Sequence, residues 1–170
     1  MKKIVFFMVF TFFYSLGFAE AVKIGVVDMQ RALNESKEGI EAKKEMGKKA
    51  EEYKKDLQKL QDELDKMKAE IEKQGTFLSE EARQEKERLF QRKLKEFQTQ
   101  YKEAQEDLQQ KDTEYTRKIV QKLEKILKDI GTEEKFTIIL EKSASGVFYF
   151  DKAIDITDKL LKRAEGAEKK

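Results

Sequence analysis

Apolar residues recur along two long stretches of the chain with the alternating spacing of four and three that marks a coiled-coil seam. The first stretch carries Met46, Ala50, Tyr53, Leu57, Leu60, Leu64, Met67 and Ile71. The second carries Phe90, Leu94, Phe97, Tyr101, Ala104 and Leu108, lapses at Lys111 and resumes at Tyr115. The two series mirror each other about residue 77, so the spacing predicts one long antiparallel helical hairpin.

The segments outside the hairpin predict a small body of strands and helix ends. Residues 22–28 alternate well enough for a first strand, and residues 136–141 and 147–150 are predicted to form a second and a third. Asp28 and Asp155 are the predicted N-caps of the helices that follow. Three short strands leave unpaired edges and bury little surface, so we expect the chain to self-associate.

Two helical stripes connect this body to the hairpin. Met29, Leu33 and Ile40 give a stripe that leads into the first long helix. Beyond Tyr115 the apolar face of the second helix widens, which favours packing against a sheet over a two-helix seam. Its members are Ile119, Val120, Leu123, Ile126, Leu127 and Ile130. Gly131 is the predicted end of this helix.

The predicted fold class is therefore α+β, with a long antiparallel coiled-coil helical hairpin inserted between the first and second strands of a small β body. We assign residues 46–111 to the arm and residues 22–45 and 112–170 to the body, through which the chain would self-associate. The predicted core of the body consists of Ile24, Val26, Phe136, Ile138, Leu140, Val147 and Tyr149.

The connection between the two seams forms the predicted tip of the arm. Residues 75–79 include a glycine and two hydroxyl residues, which suit a turn between helices, and Ser79 is the predicted N-cap of the second helix. Phe77 and Leu78 either protrude, which would make them candidate contacts to a binding partner, or close the end of the seam. Both alternatives fit the sequence.

Small residues and like charges cluster near the root of the predicted arm. Ala50 and Ala104 form an alanine-against-alanine layer, and Gly47 lies one helical turn before it. Glycine inside a helix costs about 1 kcal/mol relative to alanine. Lys43 and Lys111 occupy the next seam positions towards the body. This cluster predicts a pivot of the arm; the alternative is that the small residues only let the helices approach closely.

Residues 1–21 have the pattern of a secretory signal peptide. Two lysines precede an apolar run at residues 4–13, and small residues suit cleavage near Ala19 or Ala21. The alternative is a retained membrane anchor, for which the apolar run is short. Cleavage would remove two lysines and one glutamate and so change the formal net charge from +2 to +1.

Composition narrows the range of functions. Charged residues make up 41% of the chain, and cysteine and histidine are absent. Without them the chain has no Ser-His-Asp triad, no thiolate nucleophile and no common zinc ligands. The glycines are scattered and form no phosphate-binding loop. We therefore predict no catalytic residue, no metal site and no cofactor, and the nearly even charge balance disfavours nucleic-acid binding.

The order of these features resembles the Skp (OmpH-like) family of periplasmic chaperones. The resemblance covers essentially the whole chain after the signal peptide. It rests most on the strand Ile24-Gly25-Val26-Val27-Asp28-Met29 and on Asp155-Ile156-Thr157 at the start of the final helix, with Phe136-Thr137-Ile138-Ile139-Leu140 and Val147-Phe148-Tyr149-Phe150 between them.

This resemblance implies a homotrimer in the periplasm. The short strands of three chains would form a trimeric barrel, and three arms would enclose a cavity for unfolded outer-membrane proteins, without ATP. Contact with anionic lipid or lipopolysaccharide is a further partner to consider, although no stretch of this chain matches such a site. Chaperones of this family are clearly basic, and the near-neutral charge here argues against strong electrostatic capture. The alternative function is a periplasmic coiled-coil adaptor that bridges other proteins.

Overall fold

The computed structural model describes residues 22–74 and 77–167. Two long helices form a hairpin, and short elements gather at its open end. The elements are β1 (Ile24–Val27), α1 (Met29–Glu35), α2 (Lys37–Gln74), α3 (Glu80–Glu133), β2 (Ile138–Glu141), a 3₁₀ turn (Lys152–Ile154) and α4 (Thr157–Ala167). None of the helices in these two ranges is long and apolar enough to cross a bilayer. The predicted signal peptide, residues 1–21, lies outside the described residues.

Side-chain contacts join α2 to α3 in antiparallel order and confirm the predicted hairpin. The pairs, from body to tip, are Glu38 with Lys122, Glu45 with Tyr115, Tyr53 with Asp107, Glu63 with Lys93, and Glu70 with Lys86. The two pairs nearest the tip are both centred on residue 78, one position from the mirror point that the seams predict. Neither helix breaks at residue 46 or 111, so the division into arm and body stays a prediction.

The stripe of Met29, Leu33 and Ile40 suggested one helix that runs on into the hairpin, but in the structure α1 and α2 are separate helices. Ser36 separates them with an extended backbone conformation, φ −62° and ψ 151°. The Ser36 hydroxyl donates to the Leu33 carbonyl at 3.0 Å and accepts from the Gly39 amide at 3.1 Å. One buried serine therefore closes α1 and caps α2, and the chain changes direction so that Ile40 faces solvent.

The body is built around β1. Strand β2 lies parallel to it, with Ile24 opposite Ile138 and Val26 opposite Leu140. On the other edge of β1, the Ile156 amide donates to the Val26 carbonyl at 2.8 Å. The buried core beneath combines residues of β1, of α1, of the predicted wide face of α3, and of the segment before and within α4. They are Val27, Ala32, Ile119, Leu123, Ile126, Ile130, Ile156, Leu160 and Ala164.

One strand predicted from sequence is not formed within the single chain, and one predicted helix end is wrong. Residues 147–150 form no strand within the described chain, because this single chain offers them no backbone partner there. Helix α3 passes Gly131 and ends at Glu133. Lys135 then adopts a positive φ of 55°, and the Phe136 amide donates to the Gly131 carbonyl at 2.9 Å. These features define a Schellman motif, in which lysine takes the left-handed position usually held by glycine.

Candidate functional site

A network of hydrogen bonds ties the end of β1 to the start of α4 and fixes the body. The Asp28 amide donates to the Thr157 hydroxyl at 2.9 Å, and the Thr157 amide donates to the Asp155 carboxylate at 2.8 Å. Asp28 also accepts from the Arg31 amide, as its predicted role as N-cap requires. That backbone hydrogen bond lowers the pKa of Asp28, with Lys142 adding to the effect. The Asp155-Ile156-Thr157 segment thus acts as a clamp on the carboxyl end of β1.

A second polar cluster surrounds Phe136, where the chain leaves α3. The Lys23 ammonium lies 4.0 Å from the centre of the ring, within the range of a cation–π contact. Glu134 accepts from Lys159 at 2.5 Å and from Lys23 at 3.2 Å. Lys159, and then Lys23, lower the pKa of Glu134. Beneath the ring lies Gly25, where a Cβ atom would stand 3.0 Å from the Phe136 side chain.

The predicted body-core residues divide by their exposure in the single chain. Val26 is buried, whereas Ile24, Ile138 and Tyr149 are exposed. Phe136, Leu140 and Val147 are half-buried. A groove of about 750 Å³ runs beside β2, with Met29, Leu127, Phe136, Ile138 and Ile139 among its apolar lining residues. Much of the predicted core is therefore an uncovered apolar surface on this chain.

The tip of the arm presents an aromatic side chain. Phe77 is 90% exposed, while Leu78 is half-buried. The Ser79 hydroxyl accepts from the Ala82 amide at 3.2 Å and caps α3, as predicted. Phe77 therefore protrudes, as the first of the two alternatives expected, whereas Leu78 is partly covered, as the second expected. Residues 75–76 of the predicted turn lie outside the described ranges.

The residues of the predicted pivot are not equivalent in the structure. Ala104 is buried, but Ala50 is exposed, so the two alanines do not form a symmetric buried layer. Gly47 has open space around it, since a Cβ atom there would meet nothing within 4 Å. Lys111 lies 3.8 Å from Asp107, which compensates its charge.

No cluster of carboxylates suited to a metal ion occurs among residues 22–74 and 77–167. Hydrogen bonds from neighbouring side chains lower the pKa values of three carboxylates near the surface: Gln84 and then Arg83 act on Glu80, Lys118 on Glu114 and Lys159 on Glu134. The features that stand out are instead a long slender arm with an exposed tip and a body with uncovered apolar edges.

Comparison with known proteins identifies the family. The sequence model of the OmpH-like outer membrane proteins matches residues 23–163, so the chain belongs to the OmpH-like family. A crystal structure from Caulobacter crescentus CB15, described as an outer membrane chaperone (OmpH-like), has the same fold with a TM-score of 0.78. That protein is 16% identical in sequence, and the match covers 86% of this chain and 85% of the other. No curated protein sequence gives a significant match.

Proposed function

We propose that the chain is an ATP-independent holdase chaperone of the periplasm. It would bind unfolded outer-membrane β-barrel proteins and prevent their aggregation on the way to the outer membrane. The observation that carries this proposal is the OmpH-like match over residues 23–163, which includes the whole described arm. Signal-peptide cleavage near Ala19 or Ala21 would deliver the chain to that compartment.

The shape of the arm supports this function. Helix α2 has 38 residues, which corresponds to a length of about 57 Å at 1.5 Å per residue. Its surface is highly charged and its seam is narrow, so it offers many weak contacts and no deep pocket for one folded ligand. Weak contacts summed over a large surface hold a client without trapping it. The exposed Phe77 at the tip, with Leu78 beside it, supports a role in first contact.

The uncovered edges of the body support assembly into a homotrimer. Within the described chain, β2 pairs with a strand on one side only. Phe148 and Tyr149 lie in a segment without regular secondary structure, and their side chains are fully or largely exposed next to a body that needs more buried surface. We infer that three chains pair these segments in a shared barrel, which would bury Ile24, Ile138 and Tyr149. Anionic lipid or lipopolysaccharide would then be at most a secondary partner.

We also propose that the arms pivot near Gly47, Ala50 and Ala104 to fit clients of different size. Open space at Gly47 and the exposure of Ala50 support a thinly packed region there. Spin labels near the tips would measure the distances between arms. Gly47→Ala combined with Lys111→Leu should narrow that distribution, and an unchanged distribution would show that the region is not a pivot.

An aggregation assay tests the holdase proposal. An unfolded outer-membrane barrel protein is diluted from urea into buffer without nucleotide. The buffer contains the chain without its predicted signal peptide, residues 1–21, which we call the periplasmic form. Suppressed turbidity for several unrelated barrels supports a holdase. An adaptor would instead leave the turbidity unchanged and bind one folded partner at fixed stoichiometry.

A further inference from the structure

The two sides of the arm differ in chemistry. On one side, polar contacts bridge the two helices. Tyr53 donates to Asp107 at 2.8 Å, and this hydrogen bond raises the pKa of the tyrosine. Nearer the tip, Lys93 lies 3.3 Å from Glu63. The surface beside Tyr53 on this side also contains the carboxylates of Asp56 and Glu103. Polar groups therefore bridge the helices on this side, and the cavity of about 380 Å³ beside Tyr53 is lined by carboxylates.

On the other side, the seam opens into a groove of about 380 Å³. Its apolar lining residues include Ala50, Leu57, Phe97, Tyr101, Ala104 and Leu108. Its polar lining consists of Lys54 and glutamines, and no carboxylate is among these residues, all of which lie in the described part of the chain. We refer to this feature as the seam groove.

The seam groove is open because of two neighbouring side chains. Ala50 stands where a coiled coil needs a large side chain, and it leaves the seam uncovered. Tyr101 stacks against Phe97 with ring centres 6.3 Å apart and an angle of 26°. Its hydroxyl accepts from the Gln105 amide at 2.9 Å, which holds the ring in place. Tyr101 nevertheless remains 48% exposed, so a fixed aromatic face borders the groove.

We propose that the seam groove binds extended segments of an unfolded client in which an aromatic side chain lies next to a carboxylate. This inference rests on the proposed holdase function and identifies the surface and the client chemistry behind it. The volume is near the lower limit for ligand pockets, about 300–1,000 Å³, and suits one or two side chains better than a folded surface. An incoming ring would pair with Tyr101 and Phe97 in an offset or edge-to-face arrangement.

The charges around the groove favour the carboxylate of the proposed client segment. Lys54 makes no ion pair within residues 22–74 and 77–167, so its ammonium is available to a client carboxylate. The carboxylates of Asp56, Glu103 and Asp107 lie on the opposite side of the seam, where they would repel the same segment. Because each contact is small and lies at the surface, the client can leave the groove readily.

Two short unstructured peptides test the inference on the periplasmic form of the chain. One alternates tyrosine with aspartate and the other tyrosine with lysine, and their dissociation constants are measured at the same low ionic strength. We expect the acidic peptide to bind at least tenfold more tightly. Lys54→Glu should abolish or reverse that preference. Equal binding of the two peptides by the unmodified chain would overturn the proposal.

Three further variants separate the groove from the stability of the arm. Tyr101→Ser should weaken binding of the acidic peptide about tenfold, whereas Leu89→Ser should not, although Leu89 is also an apolar residue of α3 and is 43% exposed. Ala50→Leu should fill the groove and weaken binding while it maintains or raises the thermal stability of the helices. Weakening by Tyr101→Ser without weakening by Ala50→Leu would mean that the groove is not the binding surface.

The same variants distinguish this inference from the holdase proposal. If the unmodified chain keeps an unfolded barrel soluble and the Ala50→Leu and Tyr101→Ser variants do so equally well, the groove proposal is wrong and the holdase function stands. If the unmodified chain does not hold the barrel at all, both proposals fail.

Discussion

Gly39 and Gly47 lie in the same helix, and the structure predicts opposite effects for the same substitution at the two positions. At Gly39 an added Cβ atom would overlap the carbonyl oxygen of Leu33 and stand 3.0 Å from the hydroxyl oxygen of Ser36. These are the groups that hold the junction between α1 and α2. At Gly47 an added Cβ atom meets nothing within 4 Å.

The magnitudes follow from these surroundings. Gly39→Ala must displace Leu33 or move α2, and the movement would break the hydrogen bond from the Gly39 amide to Ser36. Loss of a helix cap costs about 1 kcal/mol, and the forced overlap adds about 1–3 kcal/mol. The better helix propensity of alanine returns about 1 kcal/mol. The net effect is about 1–3 kcal/mol of destabilisation, whereas Gly47→Ala should stabilise by up to about 1 kcal/mol.

Urea unfolding followed by far-ultraviolet circular dichroism measures both effects, at one protein concentration because self-association contributes to stability. With a slope of about 2 kcal/mol per molar urea, the two midpoints should differ by about 0.5–2 M, with the unmodified chain between them. Equal midpoints for Gly39→Ala and Gly47→Ala would refute the account of the junction.

Three other predictions concern the body. Thr157→Val removes the buried acceptor of the partly buried Asp28 amide and should cost about 1–3 kcal/mol. Thr137→Val removes a similar contact to the Lys23 amide at an exposed position and should cost under about 0.5 kcal/mol. Equal losses in urea unfolding would contradict the clamp. Ile138→Asp should dissociate the assembly, which light scattering detects as a fall in its molar mass. Ile40→Asp, also at an exposed site, should leave that molar mass unchanged. A molar mass unaffected by Ile138→Asp would exclude the shared barrel. Thermal stability should be flat from about pH 6 to 8, because the chain has no histidine. It should fall as the pH drops below about 4, because carboxylates with lowered pKa values, Asp28 among them, stabilise the fold only while ionised; a maximum near pH 4 would contradict this assignment.

The hairpin could be predicted from the sequence because its signal is local and repeated. Two apolar series of this length predict two long α-helices. Their mirror symmetry predicts that the helices are antiparallel and gives the position of the turn between them. The caps at Asp28 and Ser79 were also predictable, since each depends on a side chain and an amide three residues away. The wide apolar face of α3 could also be predicted, because it has more apolar residues than a two-helix seam can bury.

Other features depend on contacts that sequence spacing does not encode. The break at Ser36 requires the position of the Leu33 carbonyl, although a serine followed three residues later by glycine was a signal available at that point. Gly131 was a misleading helix stop, because Lys135 accepts the left-handed conformation instead. The segment 147–150 has the composition of a strand but finds no partner in one chain. The seam groove arises from the exposure of Ala50, whereas the heptad pattern assigned this residue to a buried layer.

The central claim is that this chain keeps an outer-membrane barrel unfolded and soluble. Hydrogen exchange of a barrel bound to the periplasmic form of the chain, without lipid, detergent or nucleotide, tests it most directly. We expect the client to stay in solution while its amides exchange nearly as fast as in the unfolded state. A client that aggregates despite the chain, or that acquires protected strands while bound, would contradict the claim.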